Sequence, residues 1–411
     1  MIYLDHAATT APRREVIEAM WPWLTQNFGN ASSHHERGQH AARALDDARE
    51  RIAAVLGADP SEIIFTSGGT EADNLAVKGI ALARRERRPE LNRVLVSSIE
   101  HDAVLESARS LARHEAFTAV ELPVDSAGFV TPDTFRAALA EDDAARSRSG
   151  STPGSSSVAV ASVMLANNEV GTVQNIPELA RIAAEFAVPL HTDAVQSAAT
   201  LPLDVNELGV SALSLAGHKF GTPQGLGLLW VKRGTPLRTL MSGGGQERGR
   251  RSGTSNVAGA VGLATALQLA EREREEYAAR VTALRDRLIH GILGSVPGAL
   301  LTGPDPRETG ASPGLNGISR LPINAFFCFP GVNGETVLVD LENQGVLVSS
   351  GSACATGSSE PSHVLTALGI PAEVATTSVR FSLGRETTEA DIDHAIRATA
   401  QIIAELRGGT S

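Results

Sequence analysis

Cysteine, lysine and aromatic residues are scarce in this chain, and long apolar runs are absent. Its 411 residues include two cysteines, Cys328 and Cys354, and 4% aromatic side chains. Two cysteines imply no disulfide framework, which fits a reducing compartment. No apolar run approaches the roughly 20 residues of a membrane span, and the N-terminal residues lack the basic and apolar regions of a signal peptide. We therefore expect a soluble, cytoplasmic protein with no membrane partner.

Positive charge is also in deficit. The net charge is −11, whereas a nucleic-acid-binding face is basic. We therefore expect no direct nucleic-acid partner. A chain of this length can bury a large core and is expected to form two domains.

Short apolar runs alternate with amphipathic helical stretches from about residue 30 to 250. Runs without polar alternation indicate strands of a parallel sheet that is buried on both faces. The predicted strands are Ile63–Thr66, Arg93–Ser97, Val158–Leu165, Val188–His191, Ala212–Leu215 and Gly227–Val231. Alternating β and α elements predict an α/β fold with a doubly wound sheet, whose active-site residues lie at the C-terminal ends of strands.

Two helices are clear in the sequence. The first is predicted over 36–56, because Ser33 and Glu36 have the spacing of a capping box and Gly57 stops the helix. The second is predicted over about 256–293 and connects to a smaller α+β domain.

These elements predict the domain organisation. We predict a large domain over 15–255 and a small domain over 256–411, joined by the N-terminal segment 1–14. The Ser- and Gly-rich stretch 144–157 is predicted to be a mobile surface loop.

A lysine and a carboxylate occupy two predicted strand ends. Lys219, one of three lysines in the chain, follows an apolar run and precedes a Gly-rich turn, and Asp193 ends an earlier apolar run. This pair is what a pyridoxal phosphate (PLP) enzyme needs, since the lysine forms the Schiff base and the acid keeps the pyridine nitrogen protonated. The alternative is an aspartate that only caps a helix. Gln196 follows Asp193 at a spacing that lets both face one ligand.

Two Gly-rich runs are typical of anion binding. Gly69 and Thr70 lie between a predicted strand and a predicted helix, where free amides and the helix dipole attract phosphate. The run 243–254 combines glycines and arginines and ends at Thr254. The alternatives are an ordinary strand-to-helix turn and a solvated loop.

Three more polar groups follow or lie within apolar segments. His101 is suited to stacking on a flat cofactor ring and moving protons. An asparagine of the pair 167–168 can donate to a phenolic oxygen of the cofactor, and Arg380 is a planar donor suited to a substrate carboxylate. The alternatives are a structural histidine, a turn with local asparagine hydrogen bonds and a structural ion pair.

The two cysteines differ in their surroundings. Cys354 lies among small, flexible residues, which favours an accessible thiol whose reactivity depends on thiolate formation. The alternative is a buried, inert cysteine. Cys328 lies in an apolar run, and we expect it in the core.

Together these motifs resemble those of the cysteine desulfurases, the NifS/IscS branch of the class V, fold-type I PLP enzymes. The matching pieces keep the family's order and cover nearly the whole chain. They are Tyr3–Thr10, Phe28–Ser32, Thr66–Glu71, Glu100–His101, Asn167–Glu169, Asp193 with Gln196, Gly217–Lys219, Gly243–Arg248 with Arg251–Thr254, Ser349–Cys354 and Arg380–Gly384. The resemblance implies a large domain with a mostly parallel sheet and a smaller α+β C-terminal domain.

The resemblance also implies a role for each matching residue. The implied catalytic residues are the Schiff-base lysine Lys219, the stacking histidine His101 and the sulfur-collecting nucleophile Cys354. The implied cofactor ligands are Gly69, Thr70, His101, Asn168, Asp193, Gln196, His218 and Lys219, with Thr254 lent by the neighbouring subunit of a homodimer. The implied substrate ligands are Arg380 and Asn30.

The implied reaction converts L-cysteine to L-alanine and passes the sulfur, as a persulfide on Cys354, to an acceptor protein. The acceptor is an iron–sulfur scaffold or a tRNA-thiolation protein, and the sequence does not choose between them. No resident metal is implied, although Cys354 can hold a transferred iron–sulfur cluster. The alternatives are a selenocysteine lyase, a cysteine β-lyase or an aminotransferase, or a non-catalytic sulfur carrier that keeps PLP as a structural group.

Two features depart from the family's pattern. Ala216 lies where the family often has serine or threonine, so one hydrogen bond to the phosphate is expected to be missing or to be made by a water molecule instead. The loop at 144–157 is longer than usual, and the sequence assigns it no role. The preference for cysteine over selenocysteine also stays open.

Overall fold

The structure, a computed structural model, describes residues 1–140, 156–307, 314–351 and 361–408. Cys354 and most of the predicted loop at 144–157 lie outside the described residues.

Twelve strands are found in the described ranges. They are β1 (Ile2–Tyr3), β2 (Ile63–Thr66), β3 (Arg93–Ser97), β4 (Thr118–Leu122), β5 (Val158–Ser162), β6 (Leu190–Asp193), β7 (Ala212–Ala216), β8 (Gly227–Val231), β9 (Leu300–Leu301), β10 (Asn324–Cys328), β11 (Val346–Leu347) and β12 (Ser378–Ser382).

Helices cover the strands and connect them. In the described ranges they are α1 (Arg14–Thr25), α2 (Glu36–Leu56), α3 (Gly69–Arg87), α4 (Asp102–His114), α5 (Pro132–Ala140), α6 (Ile176–Glu185), α7 (Val205–Leu208), α8 (Val257–Ser295), α9 (Gly334–Asn343), α10 (His363–Ala367), α11 (Ala372–Ala375) and α12 (Glu389–Gly408).

The largest sheet has seven strands in the order β2-β8-β7-β6-β5-β3-β4. Strand β8 is antiparallel to β2 and β7, and the other pairs are parallel. Parallel neighbours need crossover connections, which the helices supply. The carboxyl ends of β6 and β7 therefore lie side by side, which confirms the predicted α/β fold with a mostly parallel sheet.

Both faces of this sheet are buried, which explains why the strands lack polar alternation. In β7, Leu213 and Leu215 pack into one apolar cluster and Ala212 into the cluster on the other face. A third cluster joins α8 and α12 to the smaller sheet. No helix of the described residues is long and apolar enough to cross a membrane.

The predicted strand boundaries are partly confirmed. Strands β2, β3 and β8 have the predicted bounds, whereas β5 ends at Ser162, before the predicted end at Leu165. Strand β4 (Thr118–Leu122) was not predicted, because it is an edge strand whose Thr118 and Glu121 are exposed.

Helix α2 has the predicted bounds but a different N-cap. The imidazole of His35, and not Ser33, accepts a hydrogen bond from the Gly38 N–H at 3.3 Å. The predicted capping box at Ser33 was therefore wrong, because a histidine side chain serves as the acceptor. At the other end, Gly57 adopts the left-handed conformation with φ 65° that favours glycine, as predicted.

The smaller sheets lie in the C-terminal part of the chain. Strands β12, β10 and β9 form an antiparallel sheet, while β1 pairs in parallel with β11. The N-terminal strand is thus anchored to C-terminal residues. Helix α8 confirms the long predicted connector, since it packs on α1 and α2 and also on α12. The division into domains at 255/256 stays a prediction.

Candidate active site

A cavity of about 230 Å³ lies at the carboxyl ends of β6 and β7. Nine of the sequence-predicted site residues line it: Gly69, Thr70, His101, Asn168, Asp193, Gln196, His218, Lys219 and Arg380. They come from positions far apart in the chain, and the sheet brings them together as the strand-end rule predicts.

Lys219 is half-buried and lines this cavity. It ends the short 3₁₀ turn that follows β7, and its Nζ donates to the carbonyl oxygens of Ala7 at 2.5 Å and Ala8 at 2.8 Å. Burial, with Arg380 nearby, lowers the pKa of Lys219 to about 8. With this pKa about a tenth of the amine is neutral and nucleophilic at neutral pH.

Asp193 is the last residue of β6 and is 5% exposed. Burial raises its pKa, while His101, the Val195 N–H and Lys219 oppose the rise. Its Oδ1 accepts from the Val195 N–H at 2.8 Å. A carboxylate fixed in this way could keep a proton on the ring nitrogen of a bound cofactor.

The phosphate cup predicted at Gly69 and Thr70 forms the first turn of α3. A Cβ on Gly69 would lie 2.9 Å from Val195 Cγ2, so only glycine lets the backbone come this close. His218 faces the same cavity, and its Nδ1 lies 3.1 Å from Thr9 Oγ1. Burial, with Lys219 nearby, lowers the pKa of His218 to about 4, so the ring is neutral.

His101 and Gln196 are each held by one hydrogen bond. His101 caps α4, where its Nδ1 accepts from the Ala103 N–H at 3.1 Å, so a ring proton is assigned to Nε2. Gln196 Nε2 donates to the Ala7 carbonyl at 2.9 Å. The rest of each side chain is available to a ligand in the cavity.

Arg380 lies in β12 and is 2% exposed. Its guanidinium donates to Asp5 Oδ1 at 2.8 Å and to the carbonyl oxygens of Asn168 at 2.9 Å and Gly351 at 3.2 Å. Its Nε has no hydrogen-bond partner among the described residues. Arg380 therefore forms a structural ion pair with Asp5 and also lines the cavity as a hydrogen-bond donor.

Two predicted ligands lie elsewhere. Asn30 is exposed, does not line the cavity, and accepts from the Ser32 N–H at 2.9 Å. Thr254 lines a separate cavity of about 180 Å³ beside Glu247 and Arg251. The roles of both residues stay predictions.

Of the two cysteines, only Cys328 is described. It is buried in β10, and burial raises its pKa to about 12, which confirms the predicted core position.

Several contributors were not predicted as site residues. Asp73 lines the cavity one turn after Gly69, and Glu100 is fully buried just before His101. The carbonyls of Ala7 and Ala8 hold Lys219, and Asp5 pairs with Arg380. Helical spacing from Gly69 is the signal that would have found Asp73. The other contacts join residues that are distant in the chain.

The residues present fit PLP. The cavity offers a buried carboxylate for a ring nitrogen, a partly neutral lysine for an aldehyde, and amides at a helix start for a phosphate. Gly69 leaves room for a close approach, and Arg380 keeps an unpartnered buried Nε beside the site. Fold and site together define a fold-type I PLP-dependent enzyme.

Comparison with known proteins gives the family. Residues 2–394 match the model of the aminotransferase class-V family. The chain is 46% identical to the IscS-like cysteine desulfurase of Mycobacterium tuberculosis over 99% of this chain and 97% of that protein. It is 42% identical to the cysteine desulfurase NifS of Azotobacter vinelandii, over 99% and 93% of the two chains. A solved NifS-like protein, 33% identical, superposes with a TM-score of 0.84 over 98% of this chain and 100% of that one. The chain belongs to the class-V aminotransferase family, in its cysteine desulfurase branch.

Ala216 offers a test of the cofactor site. It is buried at the end of β7 and lines the cavity, but it has no hydroxyl to donate. We expect Ala216→Ser to add one phosphate hydrogen bond and to tighten PLP binding about fivefold, since such a bond contributes about 1 kcal/mol. Titration of the apoenzyme with PLP, followed by visible absorbance, measures the change. Ala216→Val adds bulk without a donor and is the control. Equal tightening by valine, or none by serine, would contradict the expectation.

Proposed function

We propose that this PLP-dependent cysteine desulfurase forms a persulfide on Cys354 and passes the sulfur to an acceptor protein in iron–sulfur cluster assembly or tRNA thiolation. The observation that carries the proposal is the joining of Lys219, Asp193, His101 and Arg380 in one buried cavity. The full-length likeness to the IscS-like and NifS desulfurases supports the choice of L-cysteine as the substrate.

The side chains of the cavity have separate roles in the reaction. When bound, PLP withdraws electron density from the α-carbon of the amino acid. Asp193 keeps the ring nitrogen protonated, and Arg380 binds the α-carboxylate of the substrate. Lys219 Nζ takes up the α-proton, which a lysine of lowered pKa can do near neutral pH.

The sulfur step belongs to Cys354. Its thiolate attacks the substrate sulfur, the S–S bond forms as the C–S bond breaks, and the electron pair of that bond stays with the carbon product. Protonation of this product gives L-alanine, so a thiol and L-cysteine become a persulfide and L-alanine without an external oxidant.

The residues before Cys354 support its access to the cavity. The backbone of Ser349 pairs with Arg380, and the Gly351 carbonyl accepts from the Arg380 guanidinium. The chain from Gly351 to Cys354 spans at most about 11 Å when fully extended. A tether of this length supports the proposal that the Cys354 thiol serves a substrate that Arg380 holds.

We also infer a homodimer. On α1, Ile17, Trp21 and Leu24 recur at helical spacing and are 41%, 61% and 61% exposed, and Phe28 beyond the helix is 62% exposed. A contiguous apolar stripe of this kind marks a protein interface. The separate cavity around Thr254 supports the idea that this threonine serves the partner's phosphate site.

We propose a cytoplasmic location, which the scarcity of cysteine supports.

A single-turnover experiment tests the proposed function. Purified holoenzyme is mixed with L-cysteine without a reductant. We expect about one alanine per subunit and a mass gain of one sulfur, and native mass spectrometry is expected to give twice the subunit mass. Free sulfide or pyruvate without a mass gain would instead indicate a lyase.

A further inference from the structure

Three buried carboxyl groups lie at or next to the cavity. Asp73 and Asp193 line it, and Glu100 accepts a hydrogen bond from Met164, which lines it. Asp193 ends β6, Asp73 lies on α3, and Glu100 lies just before α4. They are 5%, 1% and 0% exposed. Burying several like charges without partners is costly, so burial disfavours three negative charges in this cluster.

Two neighbouring groups oppose the effect of burial on one of the three acids. His101 and Lys219 both act to lower the pKa of Asp193. Burial is the largest cause that raises the pKa of Asp73 and of Glu100, and repulsion from Asp193 adds to it in both. His191, whose Nε2 lies 3.7 Å from Asp73 Oδ1, has its pKa lowered by burial to about 3 and is neutral.

Hydrogen bonds leave one oxygen open on each of the other two acids. Asp73 interacts with the Ser214 hydroxyl, but its Oδ1 has no hydrogen-bond partner among the described residues and lies 3.7 Å from His191 Nε2. Glu100 Oε1 accepts from the Met164 N–H at 2.6 Å.

Glu100 Oε2 likewise has no partner within the described ranges. His363 Nε2 reaches only the backbone carbonyl of Glu100, at 3.0 Å. Across the described residues, no group of three or more His, Cys, Asp or Glu side chains can hold a metal ion. Uptake of one proton neutralises a buried acid of this kind.

We propose that Asp73 and Glu100 are held in the protonated form and act as positioning residues that confine the negative charge of the cluster to Asp193. Asp193 then offers one full carboxylate to the ring nitrogen of PLP. A second charge at Asp73 would lie on the helix whose first turn faces the phosphate and would repel it. This proposal concerns the cofactor site and does not depend on the sulfur step.

Infrared spectroscopy of the holoenzyme at neutral pH tests the protonation directly. We expect the wild-type protein to show an absorption band of protonated carboxyl groups that weakens in Asp73→Asn and in Glu100→Gln. Each substitution is a neutral isostere of the protonated acid, so each variant is expected to bind PLP within about threefold of wild type. Asp193→Asn is the comparator. This variant should bind PLP far more weakly than the wild type and should still show the absorption band of protonated carboxyl groups.

Thermal unfolding against pH gives a second readout. An acid whose pKa is raised by folding lowers stability as pH rises above its unfolded value of about 4. The amide side chains that replace these acids cannot ionise. The difference in unfolding temperature between each variant, D73N or E100Q, and the wild type should therefore shift in favour of the variant as pH rises above that value. Absence of the carboxyl band, or a band unchanged in both variants, would overturn the proposal. So would a stability difference that does not change with pH. If one variant fails to fold, the carboxyl band of the wild type and its change in the other variant still test the proposal.

Discussion

Lys219→Arg is expected to reduce alanine release from L-cysteine by about a thousandfold or more, within the range that a general acid–base group contributes when its covalent role is lost as well. Arginine keeps the positive charge and can still donate to the Ala7 and Ala8 carbonyls that hold Lys219. It stays protonated at any pH at which the protein is folded, so it can neither attack an aldehyde nor take up a proton. Single-turnover kinetics of the variant, reconstituted with PLP, measure the loss.

The matched control for this substitution is Lys232→Arg. Lys232 is exposed after β8 and does not line the cavity, so we expect its replacement to change the rate by less than about twofold. A Lys219→Arg enzyme that keeps more than about a tenth of the wild-type rate would remove Lys219 from the mechanism.

The lowered pKa of Lys219 adds a pH dependence to the same prediction. Burial disfavours its charged form, so the neutral amine is gained as pH rises through about 8. The rate of covalent PLP attachment to the apoenzyme should therefore rise with pH and level off above about 8. An ordinary lysine would level off only near its unperturbed value of about 10.4. Stopped-flow absorbance after mixing apoenzyme with PLP measures the profile.

The fold was largely predictable because burial on both sheet faces leaves a simple apolar signal. Strands β2, β3 and β8 have their predicted bounds, and α2 runs from Glu36 to Leu56 as predicted. The predictions that failed concern single elements of the fold. Edge strand β4 carries exposed residues that resemble a loop, and His35 replaces Ser33 as a cap through an imidazole acceptor.

The site, like the fold, was predictable only in part. The residues at strand ends and helix starts, Asp193, Lys219 and Gly69, were predictable because topology places such ends at one edge of the sheet. The contacts of the N-terminal segment were not predictable. Asp5 reaches Arg380 and the Ala7 carbonyl reaches Lys219 across more than half of the chain, and no local pattern encodes such pairings.

Cys354→Ser is expected to abolish the mass gain of one sulfur per subunit, because a hydroxyl does not form a persulfide. The substitution changes one atom and leaves Lys219, Asp193 and Arg380 in place, so PLP affinity should be unchanged. Intact-mass analysis after a single turnover with L-cysteine measures the persulfide, and the cofactor's visible absorbance reports binding of the substrate. These two readouts separate loss of the sulfur step from loss of the site.

Cys328→Ala is the matched control, because it removes the other thiol of the chain. Cys328 is buried in β10 and its raised pKa of about 12 keeps it a thiol at neutral pH, whereas sulfur attack needs a thiolate. We therefore expect this variant to keep the mass gain, with some loss of stability from the smaller core side chain. If Cys354→Ser still gained one sulfur and Cys328→Ala did not, the carrier would be Cys328 and the proposed tether at Gly351 would be wrong. If both variants released alanine and free sulfide without any mass gain, the enzyme would cleave cysteine as a lyase and neither thiol would carry sulfur.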